Sequence, residues 1–112
     1  MKIEKTVKEL IDQIHAELEK KFEKKLAKII LFGSYARGDY DQESDLDILA
    51  LIEEENPQRY YNDIVDLEVD LTIKFGILPS IVLRNSGYFY ENREIIPFFK
   101  AVANEGVEIY AA

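Results

Sequence analysis

The chain contains no cysteine and no tryptophan, and only one histidine, one methionine and three prolines in 112 residues. Without thiols, disulfide scaffolds, thiolate zinc sites and cysteine nucleophiles are excluded. With His15 as the sole imidazole, a Ser-His triad would have to use it. It falls inside a helical pattern, where a solvated or partly packed position is the expected reading. No apolar run approaches the roughly 18 residues that signal a membrane span. The opening "MKIEKTVKEL" lacks the apolar core of a signal peptide, so a cytoplasmic protein with no membrane association is expected. Basic residues are also short: the net charge is −8. Binding nucleic acid through its phosphates needs a basic face, so no direct nucleic-acid partner is expected.

What is present reads as a globular chain, 47% apolar and 32% charged, long enough for one domain spanning 1–112 with a buried core. Apolar residues at Ile3, Val7, Leu10, Ile11, Ile14, Leu18 and Phe22 recur in steps of three and four, which predicts a helix over 3–22. "LAKIILF" (26–32) predicts a strand ending at Gly33, with a helical turn over 34–37. "DLDILALI" (45–52) predicts a second strand with Asp45 and Asp47 on one face.

Residues 58–75, "QRYYNDIVDLEVDLTIKF", fit both a helical stripe and strict alternation. The length, the Asn56-Pro57 start and the terminal Gly76 favour helix. A strand over 65–75 is the alternative. "ILPSIVLR" (77–84) is then the third strand, near an edge because Pro79 cannot donate to a ladder. "SGYFYENRE" reads as a loop, followed by a helix from Pro97 to Gly106 and a last strand over 107–111. The order α-β-β-α-β-α-β is that of an α/β (α+β) domain, a small mixed sheet with helices packed on it.

The chemistry-bearing stretch is "LFGSYARGDYDQESDLDIL" (31–49). Carboxylates at i and i+2 of a strand share a face, roughly 6–7 Å apart. That spacing suits Mg²⁺, which takes one or two carboxylates and completes its shell with substrate phosphate and water. Gly33-Ser34 can bring backbone close to a phosphate, and Arg37, one turn on, can neutralise it. Such a layout fits phosphoryl or nucleotidyl transfer, where positioning and charge neutralisation do most of the catalysis. At average residue usage, Gly-Ser followed at this spacing by Asp-x-Asp arises by chance on the order of once in a thousand chains this long.

Gly33-Ser34, ten residues, then Asp45-x-Asp47, with "ARG" and "SD" between, resembles the DNA-polymerase-β-like nucleotidyltransferases. Within them the chain is similar to the smallest branch, the minimal nucleotidyltransferases (MNT), from the leading helix through "IILFGSYARGD" and "SDLDILAL" to "PFFKAVANEGVEIY". The resemblance implies a polymerase-β-like fold, Mg²⁺, ATP as substrate and attack on its α-phosphate. It also implies an antitoxin role, in which AMP passes to a tyrosine of a partner HEPN toxin. Gly33, Ser34 and Arg37 would bind the nucleotide, and Asp45 and Asp47 would be catalytic metal ligands.

The wider family has a third carboxylate on the strand after the long helix. Here Gly76, Ile77 and Leu78 occupy its expected positions, and Asp70 would serve only if 65–75 were a strand. A catalytically weak binding module that neutralises its partner by contact is therefore the alternative function. The acceptor must come from another chain. A hetero-complex or a homodimer through exposed apolar residues of the long helix and the last helix is expected.

Overall fold

A computed structural model describes residues 2–112. Helix α1 (Lys2–Phe22) leads through a 3₁₀ turn (Glu23–Lys25) into strand β1 (Leu26–Phe32). The one-turn helix α2 (Ser34–Arg37) and a loop precede β2 (Leu46–Ile52). A second 3₁₀ turn (Pro57–Tyr60) opens α3 (Tyr61–Phe75), and β3 (Pro79–Asn85), α4 (Ser86–Asn92), α5 (Pro97–Glu105) and β4 (Val107–Ala111) follow. The sheet order is β3-β2-β1-β4. β1 runs antiparallel to both β2 and β4, whereas β2 and β3 are parallel. The sheet is therefore mixed.

Two apolar clusters make three layers. Leu10, Ile14, Leu18 and Phe22 project from α1 at steps of four and, with Ile64 and Leu71 of α3, pack on Leu46, Ile48, Ala50 and Ile52. The opposite face of β2, Leu49 and Leu51, meets Phe89 of α4 with Phe99 and Val102 of α5. Strand β2 is buried on both faces, which is why "LDILALI" is almost unbroken apolar sequence rather than alternating.

The helix over 58–75 forms, beginning as the 3₁₀ turn and becoming α-helical at Tyr61. Gly76, at φ 74°, closes it in the left-handed conformation, its N–H donating to Thr72 O at 2.8 Å. Pro57 starts the turn as expected, but the Asn56 side chain makes no capping bond.

Three expectations need correction. Residues 86–92 form helix α4, not a loop. The Asn85 side chain caps it by accepting from Tyr88 N–H at 2.9 Å, and Phe89 anchors it in the core. This cap outweighs Gly87 as a breaker. The alternative strand over 65–75 does not exist, and Asp70 lies exposed on α3. Of the exposed apolar residues expected on the long helix and the last helix, Val69 and Ile73 are bare on α3, whereas the other large apolar side chains left bare among the described residues include Leu78 and Ile95 and none on α5.

Pro79 begins the edge strand. That edge is blunted: Glu68 accepts from Ile81 N–H at 2.8 Å, and Arg84 donates to Leu83 O at 2.8 Å. His15, half-buried, lies against the Tyr110 ring at 4.7 Å. No helix among the described residues is long and apolar enough to cross a membrane.

Candidate active site

The five residues singled out from sequence lie where β1 ends and β2 begins. Phe32, the last residue of β1, pairs with Asp47 in the antiparallel ladder. The chain then turns at Gly33, at φ 75° and ψ −155°, a conformation that favours glycine. A Cβ there would collide with the Asp47 carboxylate. Glycine is thus demanded twice, by backbone and by space, and its main chain lies against the acid.

Ser34 starts α2, whose Ala36 and Arg37 N–H groups donate to Gly33 O at 3.1 and 3.0 Å. The helix stops after one turn at left-handed Gly38. The earlier N–H groups of α2, those of Ser34 and Tyr35, have no partner within the helix. The loop back to β2 is held by Asp41, whose Oδ1 accepts from Glu43 N–H at 2.8 Å and from the Ser44 hydroxyl at 3.3 Å. Asp41 is therefore a turn-former. Asp39 accepts from Arg37 Nε at 3.2 Å.

Asp45 is exposed just before β2, and Asp47 is half-buried inside it. Burial pushes the Asp47 carboxyl above its usual range. The charges of Asp45 and Glu105 add to this, and that of Arg37 opposes it. A carboxylate held against like charge is one that a divalent cation would relieve. Beside these acids the rings of Tyr35 and Tyr40 stack at 4.2 Å and 14°. Burial, with nearby negative charge, raises the Tyr35 hydroxyl above its ordinary value.

No group of three or more potential metal-ligating side chains is assembled among the described residues. The donor set offered is Asp45 and Asp47. Two hard carboxylate groups, with positions left for substrate oxygens and water, fit Mg²⁺.

Strand β3, which follows the long helix, carries no carboxylate. Residues 76–78 precede β3, and the residue paired with Asp47 across the parallel ladder is Ser80. In-register parallel neighbours project to the same face, so a hydroxyl stands beside Asp47.

One charged residue at the site escaped the sequence reading. Glu105, the last residue of α5, accepts from Gly33 N–H at 3.2 Å and from Arg37 Nη1 at 3.4 Å to each carboxylate oxygen. Its position follows from Gly106. A Cβ at that residue would run into Val102 O and Ile30, so only glycine lets the end of α5 press onto β1. The Glu105-Gly106 pair is a faint sequence signal for this.

A groove of about 770 Å³ runs along β3 between α3 and α4, lined by Tyr61, Ile81, Leu83 and Tyr88 among others. It touches neither Asp45 nor Asp47. A smaller hollow of about 440 Å³, lined by Tyr35, Tyr40, Asp41, Phe75 and Ile77, adjoins the α2 turn. Neither hollow is lined by Gly33, Ser34, Arg37, Asp45 or Asp47.

A family model described as "Nucleotidyltransferase domain" matches residues 11–104. Two proteins of Methanocaldococcus jannaschii are similar over nearly their whole lengths. "Putative protein adenylyltransferase MJ0141" is 35% identical over 101 residues, 90% of this chain and 96% of its own. A second of the same description, MJ0604, is 35% identical over 111 residues, 98% of this chain and all of its own. A solved structure described as a toxin-antitoxin with AMP-PNP superposes with a TM-score of 0.60 at 23% identity, covering 91% of this chain and 73% of that one. That last likeness is one of fold.

Proposed function

The chain belongs to the nucleotidyltransferase domain family, and from that premise we propose that residues 1–112 form one Mg-dependent protein adenylyltransferase domain, an antitoxin acting in the cytoplasm that transfers AMP from ATP to a tyrosine of a HEPN-family toxin. The observation that carries this reading is the lodging of Asp47 against the Gly33 backbone, with Asp45 and Arg37 close enough to act on its charge. The relatives named as protein adenylyltransferases support the reaction. The toxin-antitoxin neighbour supports the partner.

Asp45 and Asp47 would hold Mg²⁺, which when bound neutralises phosphate charge and polarises the reacting phosphorus. The Gly33-Ser34 turn presents main-chain donors to the β- and γ-phosphates, and Arg37 adds positive charge beside them. The acceptor hydroxyl oxygen forms a bond to the α-phosphorus as the bond from that phosphorus to the β-phosphate bridging oxygen breaks. Pyrophosphate leaves and the hydroxyl proton passes to solvent or to a group of the acceptor protein. No acid of this chain stands at Ser80 to take that proton, which makes the acceptor's contribution important.

The test is incubation of the purified chain with labelled ATP, Mg²⁺ and a HEPN-family toxin. Label on the toxin, lost with Asp47→Asn, supports the reading. An unlabelled toxin, or equal labelling by the variant, contradicts it.

Ser80 beside Asp47 favours a second reading, a binding module that neutralises its partner by contact without transfer. The double variant Asp45→Asn with Asp47→Asn separates the two. Full neutralisation by that variant supports contact alone, and loss of neutralisation supports transfer.

A further inference from the structure

We propose that Glu105 is a displaceable internal anion: it holds the Gly33 N–H and the Arg37 guanidinium until a polyphosphate takes them, and reclaims them as pyrophosphate departs. The inference rests on the nucleotide reading of the Gly33–Arg37 turn and adds a residue to it. A carboxylate bridging a main-chain N–H and a guanidinium does what a phosphate oxygen does at the same donors. Glu105 makes both contacts, at 3.2 Å to Gly33 N and 3.4 Å to Arg37 Nη1.

Those distances are at the long end for charge-assisted bonds, and Arg37 is half exposed. A pair of this kind contributes little and is screened by solvent, so it yields readily to a ligand of higher charge. Arg37 meanwhile keeps its Nε bond to Asp39 at 3.2 Å, which would steady the guanidinium while the other side exchanges anions. Glu105 itself is carried on α5, anchored by Phe99 and Val102 in the core and by the tight Gly106 contact with β1. The exchange therefore needs only a side-chain movement at the end of a fixed helix.

Two consequences distinguish this role from a structural tie. A tie removed should weaken ligand binding, because the turn loosens. A competing anion removed should tighten it, and only for ligands that place phosphate on those donors.

The experiment titrates inorganic tripolyphosphate, pyrophosphate and adenosine, each with Mg²⁺, into the wild-type chain, Glu105→Gln and Glu105→Ala, with thermal melting of each protein alone. Glu105→Gln keeps the side-chain shape and an acceptor for the Gly33 N–H, so it retains the fold even if the alanine variant does not. The expected result is about three- to tenfold tighter binding of tripolyphosphate and pyrophosphate by Glu105→Gln, with adenosine unchanged. Wild-type binding of tripolyphosphate with unchanged or weaker binding by Glu105→Gln overturns the inference and leaves the nucleotide reading standing. No binding of either phosphate by any of the proteins overturns both.

Discussion

Gly33 and Asp47 are in contact across the end of the β1–β2 ladder, and a single added carbon at position 33 would displace the acid. Backbone turn and the carboxylate proposed as a metal ligand are thereby one unit. Gly33→Ala should show it, since the φ of 75° is strained for alanine and the Cβ has no room. A destabilisation of about 1–3 kcal/mol is expected in denaturant titration, together with at least a tenfold loss of nucleotide binding by calorimetry.

Asp47 should cost the empty fold stability at neutral pH. Its folded pKa lies above the ordinary carboxylate value because of burial and of like charge from Asp45 and Glu105. The folded state therefore binds the proton more tightly than the unfolded chain. The stability this confers is full below the unfolded pKa and is lost as pH rises through the raised folded value. Asp47→Asn should accordingly melt higher than wild type at pH 7, with the advantage shrinking towards pH 4. Melting curves across that range check the sign.

Ser80→Asp places a third carboxylate beside Asp47 on the same face. In metal-free buffer it should lower the melting temperature at pH 7, because another charge joins a crowded pair. Added Mg²⁺ should raise it by more than it raises the wild type. Scanning fluorimetry with and without Mg²⁺ reads both effects.

At the far end of the sheet, Asn85 accepts from Tyr88 N–H and donates to Glu54 O at 2.7 Å. Asn85→Ala should destabilise the protein by about 1–2 kcal/mol through the lost cap. Nucleotide binding should be unchanged, because Asn85 pairs with Ile52 at the opposite end of β2 from Asp47. Denaturant titration alongside calorimetry separates the two.

What could be read from the sequence follows the reach of each signal. Helix α1 was legible because Leu10, Ile14, Leu18 and Phe22 keep one face over more than three turns, and Gly76 marked the end of α3 where alternation alone was ambiguous. Helix α4 was hidden because its cap, Asn85, closes a strand, and Ser86-Gly87 resembles a turn. The approach of Asp47 to Gly33 was legible from a local motif. Glu105 was not, since it reaches the site from 72 positions away through the packing of α5 on β1. The place of Ser80 depended on strand register, which no local pattern in "ILPSIVLR" specifies.

The central claim is that Asp45 and Asp47 together hold a divalent cation with a nucleoside triphosphate. Calorimetric titration of Mg²⁺ with a non-hydrolysable ATP analogue into the wild-type chain and into Asp45→Asn/Asp47→Asn tests it most directly. Saturable one-site binding to the wild type that requires Mg²⁺ and disappears in the folded double variant is the expected result. Equal binding by both proteins, or binding indifferent to Mg²⁺, would contradict it.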